Sequence, residues 1–84
     1  MSINENVEEK TMAIFLNIFP EINESSFDWN KVQNDYENWD SFAHLRIVTE
    51  IEEKFGIALE MDDFVYIQSA AGFLKIIKEN ITHK

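Results

Sequence analysis

Apolar residues recur every three or four positions in three stretches of the chain, and this spacing predicts three amphipathic helices. The first runs from about Asn4 to Phe19, and Pro20 ends it because proline disfavours the helical conformation in the residue before it. Its predicted buried stripe is Ile3, Val7, Thr11, Ile14, Phe15 and Ile18. Glutamates in its early turns suit the positive end of the helix dipole.

The second helix is predicted from Ser41 to about Phe55, with Gly56 as its C-terminal stop. Its core-facing stripe consists of His44, Ile47, Val48, Ile51 and Phe55. Phe42 and Leu45 lie at the start of this helix but off the stripe, so these two large apolar side chains are not predicted to be buried in the core. They are candidates for binding a partner, unless the preceding loop covers them.

The last helix is predicted to begin after Ser69, its N-cap, and to continue to about Asn80. Its buried stripe is Ala70, Phe73, Leu74, Ile77 and Ile81. Before it, Asp62-Asp63 can start a short helix that ends at Tyr66 and turns its apolar residues inward: Phe64, Val65 and Ile67. The predicted fold class is all-α, a small four-helix bundle of three longer helices and a short third helix, with a long first loop.

A long connection, Glu21 to Asp40, joins the first two helices. Connections of this length are uncommon in small domains, but large apolar residues spread along it can pin it to the bundle: Ile22, Phe27, Trp29, Val32, Tyr36 and Trp39. A short helical turn is predicted within Asn30 to Tyr36. Trp29 and Trp39 could instead stack on a ligand, although large aromatic residues more often pack in a core.

Size and charge narrow the classes of function. Eighty-four residues form a single domain, 1–84, with a small core. A net charge of −9 and a pI near 4.4 argue against nucleic acid or an anionic membrane as a partner, because both attract basic surfaces. The chain has no Cys, which excludes a disulfide or a cysteine nucleophile. The sequence has no signal-peptide pattern, so we expect a cytoplasmic protein, and its size and charge favour a monomer.

Ser41 has the most distinctive surroundings of any hydroxyl in the chain. It stands where the long loop becomes the second helix, and either Ser41 or Asp40 can cap that helix. The free N–H groups and positive dipole end of a helix N-terminus favour an anionic group such as a phosphate. Ser25 and Ser26 lie in the loop with no helix directly after them. Ser41 is therefore the predicted site of covalent modification.

Catalysis and metal binding are weaker interpretations of the same region. Asp40, Ser41 and His44 include the residue types of a Ser-His-Asp triad, but His44 lies on the core-facing stripe and the chain is too short to build a pocket. We interpret His44 as packed, or as a cap, against the loop. The acidic residues lack the ligand spacing of a calcium loop, and Glu50 precedes Lys54 by four residues, which predicts an ion pair. We expect neither an enzyme nor a metal site.

The segment around Ser41 resembles the signature of acyl carrier proteins. Asp40-Ser41-Phe42 is similar to the family's Asp-Ser-Leu, and the following helix ends in the family's Glu-Glu-x-Phe pattern at Glu52–Phe55. Trp39 before this motif and His44-Leu45 after it resemble a variant of stand-alone bacterial carriers. The similarity extends over most of the chain. Asp-Ser followed by a hydrophobic residue is common by chance, whereas the motif, the helix and the chain length together are specific.

The resemblance implies a 4'-phosphopantetheine arm attached covalently to Ser41, with Asp40 and Phe42 flanking it. The thiol of the arm would hold acyl groups as thioesters during fatty acid or secondary metabolite biosynthesis. The implied partners are a phosphopantetheinyl transferase of the holo-acyl-carrier-protein synthase type and enzymes that load and transfer acyl groups. The predicted partner-binding face is Leu45, Arg46, Thr49, Glu52 and Glu53.

The chain departs from the carriers of primary fatty-acid synthesis on and beside this face. Ala43 and Arg46 stand where those carriers usually have acidic residues. Thr49 replaces an apolar residue and Phe42 replaces Leu. Because charge complementarity chiefly sets association rate and specificity, we expect a dedicated carrier for a specialised pathway.

Two other functions are compatible with the same sequence. Aminoacyl and peptidyl carriers are close relatives in type, although they usually have a Gly-rich run before the serine, where this chain has Asn38-Trp39-Asp40. The other is a small acidic helical interaction module without a prosthetic group. Such a module would bind through Phe42 and Leu45, and its serine would be only a helix cap.

Overall fold

Three α-helices account for most of residues 3–60 and 65–82, the part of the chain that this computed structural model describes. They are α1 (Ile3–Ile18), α2 (Ser41–Phe55) and α3 (Ala70–Thr82), with a 3-10 turn at Gln33–Asp35 between α1 and α2. The described residues form no β-strand beyond one isolated bridge. The predicted all-α class is confirmed. Most of the predicted short third helix falls in residues 61–64, which lie outside the described part.

The helix boundaries lie close to the predicted ones. α2 begins and ends at the predicted residues, and α1 is displaced by one residue toward the N-terminus. Gly56 stops α2 in the left-handed conformation, with φ 64° and ψ 38°, and its N–H donates to the Glu52 carbonyl at 2.9 Å. Glycine is the residue that adopts this conformation without a steric penalty. At the start of α3, Ser69 Oγ accepts from the Gly72 N–H at 3.0 Å, which confirms the predicted cap.

The core lies where α1 contacts both α2 and α3. The stripes predicted for the three helices are buried from Val7 onward, with Phe55, Leu74 and Ile81 only partly buried at their edges. Aromatic rings fill the centre: Phe15, Phe19 and Phe73 are fully buried. Full burial of one such side chain contributes about 1.5–3 kcal/mol.

The long loop is held against this core, as the sequence predicts. Tyr36 and Trp39 are buried, which favours packing over ligand stacking for Trp39, and Ile22, Phe27 and Trp29 are partly buried against the core. The predicted helical turn is the 3-10 turn Gln33–Asp35. The expectation for Val32 was wrong, because its side chain is 43% exposed. Its backbone instead makes the isolated bridge with Ser69, so its contribution is to join the loop to the start of α3.

In the described part of the segment before α3, one side chain differs from the prediction; Phe64, which was also expected to turn inward, lies outside the described residues. Val65, expected to turn inward, is 53% exposed, whereas Ile67 is partly buried as expected. A single helical turn is too short for periodicity to define a buried face. Within α3, Gly72 allows Ile67 to approach closely, because an added Cβ would lie 3.0 Å from Ile67 Cγ2. None of the described helices is both long and apolar enough to cross a membrane.

Candidate functional site

Ser41 is the first residue of α2, and Asp40 is its N-cap. Asp40 has extended backbone angles, φ −98° and ψ −168°, and its carboxylate Oδ1 accepts from the Ala43 N–H at 2.9 Å. Of the two capping residues that the sequence allows, the structure therefore selects Asp40, and the interpretation of Ser41 as the cap is wrong. A cap must have non-helical backbone angles, whereas Ser41 is already helical. The hydroxyl of Ser41 is exposed and has no hydrogen-bond partner among the described residues.

The start of α2 leaves two backbone donors beside this hydroxyl. The His44 N–H donates to the Asp40 carbonyl at 2.9 Å, and the Ala43 N–H is taken by the Asp40 carboxylate. The N–H groups of Ser41 and Phe42 precede the first intrahelical hydrogen bond and have no acceptor in the helix. Together with the positive end of the helix dipole, they favour an anionic group at Ser41.

A cleft of about 450 Å³ opens next to Ser41, so the expectation that the chain is too short to build a pocket was wrong. It is lined by Gln33, Ser41, His44, Leu45 and Val65, so the loop, α2 and the segment before α3 each form one side. Leu45 and Val65 are each about half exposed, while Gln33 and Ser41 present polar groups. An exposed hydroxyl at a helix N-terminus can carry an anionic group, and the open, mainly apolar cleft beside it has room for a group attached there.

His44 is buried and hydrogen-bonded to Trp39. The indole Nε1–H of Trp39 donates to His44 Nδ1 at 3.0 Å, and the two rings stack with centroids 5.8 Å apart. This confirms the interpretation of His44 as packed against the loop. Nδ1 of His44 therefore accepts from the Trp39 indole, so this nitrogen is not the base that takes a proton from Ser41. The described residues also contain no group of three His, Asp or Glu that could hold a metal ion.

The apolar side chains beside Ser41 are exposed. Phe42 is 79% exposed and Leu45 is 50% exposed, so neither the loop nor the core buries these side chains. Arg46 pairs with Glu50 across 3.8 Å, which replaces the expected pair between Glu50 and Lys54. Glu50 has a basic residue four positions away on each side, and spacing alone does not decide between them.

The remaining residues of the predicted partner face divide into two groups. Thr49 and Glu53 are exposed. Glu52 is partly buried, and its Oε2 accepts from the Leu59 N–H at 2.9 Å, so it also orders the connector after α2. Binding of a partner by this face stays a prediction.

Three contributions to the site were not predicted. Gln33 and Val65 line the cleft, and the indole N–H of Trp39 contacts His44. No spacing pattern points to Gln33 or Val65, because the tertiary fold brings them to Ser41, Gln33 from the long loop and Val65 from the segment before α3.

A search of models of known protein families, of curated proteins and of solved structures found no match to this chain.

Proposed function

We propose that this chain is an acyl carrier protein that holds acyl groups on a 4'-phosphopantetheine arm attached to Ser41. The observation that supports this most is the exposed, unbonded hydroxyl of Ser41 at the first position of a 15-residue helix, beside an open cleft. The residues around Ser41 resemble the carrier signature. A structural cap at this position would have its hydroxyl engaged by the helix, and that task belongs to Asp40.

The chain's part in the reaction is to present Ser41, and the transferase supplies the activating base. The bond from Ser41 Oγ to phosphorus would form as the diphosphate P–O bond of coenzyme A breaks, adenosine 3',5'-bisphosphate would leave, and the serine proton would pass to the transferase. When bound, the arm supplies a thiol for thioester linkage to cargo. Leu45 and Val65, on opposite sides of the cleft, offer apolar contact to the arm, and Gln33 offers hydrogen bonds. In this proposal the chain is not itself an enzyme.

Several finer features belong to the same proposal. The proposed fold is a four-helix bundle, with a short third helix before α3. The protein acts as a cytoplasmic monomer, with no nucleic acid or membrane as a partner. Its partners are a phosphopantetheinyl transferase and acyl-loading and acyl-transfer enzymes, which contact Leu45, Arg46, Thr49, Glu52 and Glu53.

The composition of this face supports a carrier with its own partners. Large apolar residues stand next to Ser41, and the acidic residues of α2 all lie in its second half, after Arg46 and Thr49. We therefore place the carrier in a specialised pathway. Loading and elongation by a generic fatty-acid synthase, at the rate of that system's own carrier, would contradict this placement.

The absence of Cys makes the modification easy to measure. The purified protein is incubated with coenzyme A, magnesium and a broad-specificity phosphopantetheinyl transferase, and its intact mass and free thiols are determined. We expect the mass of one phosphopantetheine and one thiol per chain. Ser41→Ala should gain neither, and Ser25→Ala, which removes another exposed serine hydroxyl, should be modified like the parent. A folded parent that gains nothing would contradict the proposal.

The exposure of Phe42, Leu45 and Val65 also favours a second candidate, an interaction module without a prosthetic group. Such a module would keep its binding in Ser41→Ala and lose it in Phe42→Ala, whereas a carrier loses function in Ser41→Ala. An aminoacyl or peptidyl carrier would share the modification at Ser41 and differ in accepting aminoacyl cargo, so the identity of the cargo distinguishes it.

A further inference from the structure

Trp39 and His44 form a side-chain connection across the start of α2. The indole Nε1–H of Trp39 reaches His44 Nδ1 over 3.0 Å, and the cap Asp40 and the hydroxyl residue Ser41 lie between them in the chain. A hydrogen bond between a residue before the cap and one in the first helical turn restrains both ends of this short segment. Gln33 contacts the same segment, as described below, and we call the three residues Gln33, Trp39 and His44 the bracket.

The indole ring is fixed to the other helices. Its centroid lies 5.6 Å from Phe15 and 5.7 Å from Phe19, which anchors it to the end of α1. On the side of α3 it stacks with Phe73 at 6.5 Å. Trp39 is only 5% exposed. The position of this ring is therefore set by its contacts with α1 and α3. Through the hydrogen bond, the fixed indole restrains the position of His44.

Gln33 holds the backbone of the same segment. Its Nε2 donates to the Trp39 carbonyl at 3.1 Å, directly before Asp40, and its own N–H donates to the Gln68 carbonyl at 2.8 Å. These bonds join the loop, the approach to α2 and the segment before α3. The side chain of Gln33 also lines the cleft.

The cap and the bracket do different things. Asp40 accepts hydrogen bonds from the Ala43 and His44 N–H groups of its own helix, and its own N–H donates to the carbonyl of Asn38, two residues earlier, so its bonds are all local to the first turn. It does not fix that turn relative to the cleft or to the rest of the molecule. The hydroxyl of Ser41 has no hydrogen bond among the described residues, so the backbone alone sets its place. The bracket is the connection that ties this backbone to α1 and α3.

We propose that Gln33, Trp39 and His44 are positioning residues for the modification of Ser41. They hold its hydroxyl at a fixed place relative to the face on which a transferase docks. This rests on the proposed function of Ser41. Small displacements of a reacting group lower the rate of the chemical step while leaving binding nearly unchanged. Loss of the bracket should therefore lower kcat of the transferase for this carrier and leave KM for the carrier nearly unchanged.

The test compares matched tryptophan variants. Trp39→Phe removes the indole donor and retains a large ring, and Trp29→Phe makes the same chemical change in a half-buried loop tryptophan away from Ser41. With a broad-specificity phosphopantetheinyl transferase and saturating coenzyme A, we expect kcat to fall roughly tenfold in Trp39→Phe, with KM within about twofold. Trp29→Phe should match the parent.

A second pair separates the hydrogen bond from packing. His44→Asn retains an acceptor oxygen near the position of Nδ1, whereas His44→Leu retains volume without an acceptor. We expect His44→Asn to have a kcat closer to the parent than His44→Leu. The chain has two tryptophans, so the indole N–H resonance of Trp29 is an internal reference for that of Trp39. Only the Trp39 resonance should shift in His44→Leu.

Amide hydrogen exchange in the unmodified protein gives an independent measurement. Exchange at Ala43 and His44 should accelerate in Trp39→Phe and not in Trp29→Phe, while Ile77, in the middle of α3, keeps the protection of the parent. Equal acceleration at Ile77 would mean a general loss of stability and would overturn the proposal.

The kinetic measurements can also overturn the proposal. A folded Trp39→Phe with the kcat and amide protection of the parent would also overturn the proposal, as would equal kcat losses in His44→Asn and His44→Leu. If the parent receives no phosphopantetheine, the function proposed for Ser41 fails, and with it the catalytic part of the bracket. Amide exchange would then still decide whether the bracket holds the start of α2.

Discussion

Replacement of Asp40 by Ala should destabilise the protein far more than replacement of Ser41 by Ala. Asp40 Oδ1 accepts from the Ala43 N–H at 2.9 Å, and its charge lies at the positive end of α2. Loss of an N-cap side chain costs about 1 kcal/mol. Loss of a negative charge at a helix N-terminus costs about 0.3–1 kcal/mol more. Asp40→Ala should therefore lower the free energy of unfolding by about 1–2 kcal/mol.

The two neighbouring variants separate these contributions. Asp40→Asn keeps an acceptor oxygen and loses only the charge, so its cost should be a few tenths of a kcal/mol to about 1 kcal/mol. Ser41→Ala changes an exposed side chain without a hydrogen bond, so its effect should lie within about 0.5 kcal/mol. For a domain of this size, 1 kcal/mol corresponds to roughly 4–8 °C in Tm.

Urea denaturation of the four proteins, followed by circular dichroism, gives the free energies of unfolding, and thermal melts give the Tm values. A loss in Ser41→Ala equal to that in Asp40→Ala would refute this reasoning, because it would make the serine the cap. The expected small effect also matters for function. It would make Ser41→Ala a folded variant in which loss of modification has a chemical cause.

Three further variants test other parts of the fold by urea denaturation. Burial, and secondarily the negative charge of Asp28, raises the pKa of Tyr36 above its ordinary value of 10.0. The stability due to neutral Tyr36 is complete below pH 10 and is lost as the pH rises through the raised pKa, and Tyr36→Phe should remove this loss. Because the buried hydroxyl has no partner among the described residues, Tyr36→Phe should also stabilise the protein by about 1 kcal/mol at pH 7. Gly56→Ala should cost about 1–2 kcal/mol from its positive φ alone, since no atom lies within 4 Å of the added Cβ; an unchanged urea midpoint would contradict this. Glu52→Ala should cost about 1 kcal/mol by removing the acceptor of a connector N–H, while Glu53→Ala, on an exposed residue, stays within about 0.5 kcal/mol; equal effects would refute the difference.

The helices could be predicted from sequence because their signals are local. α2 has a capping side chain at one end, Gly56 at the other, and an apolar stripe of period 3.6 between them, all within one continuous segment. The packing of Tyr36 and Trp39 against the helices could also be predicted, since a long loop in a small domain must be held by large side chains. The direction of Val65 was not, because a single turn contains too few residues to define a face.

The contacts around Ser41 required the three-dimensional structure. The Trp39–His44 bond joins residues on either side of a cap, and Gln33 reaches the same segment only because the loop folds back on α2. The choice of Asp40 over Ser41 as the cap depends on backbone angles, which two adjacent capping residues leave open. The candidate residue was therefore predictable from its position, whereas its supporting contacts were not.

The most direct test of the proposed carrier function is to locate the thiol that we expect a phosphopantetheinyl transferase to add. After incubation with coenzyme A and a phosphopantetheinyl transferase, the Cys-free chain is labelled with a maleimide, digested and sequenced by mass spectrometry. We expect one label per chain, attached through phosphopantetheine to Ser41. A label on another residue, or a folded protein that takes up no label, would contradict the assignment of this chain as an acyl carrier protein.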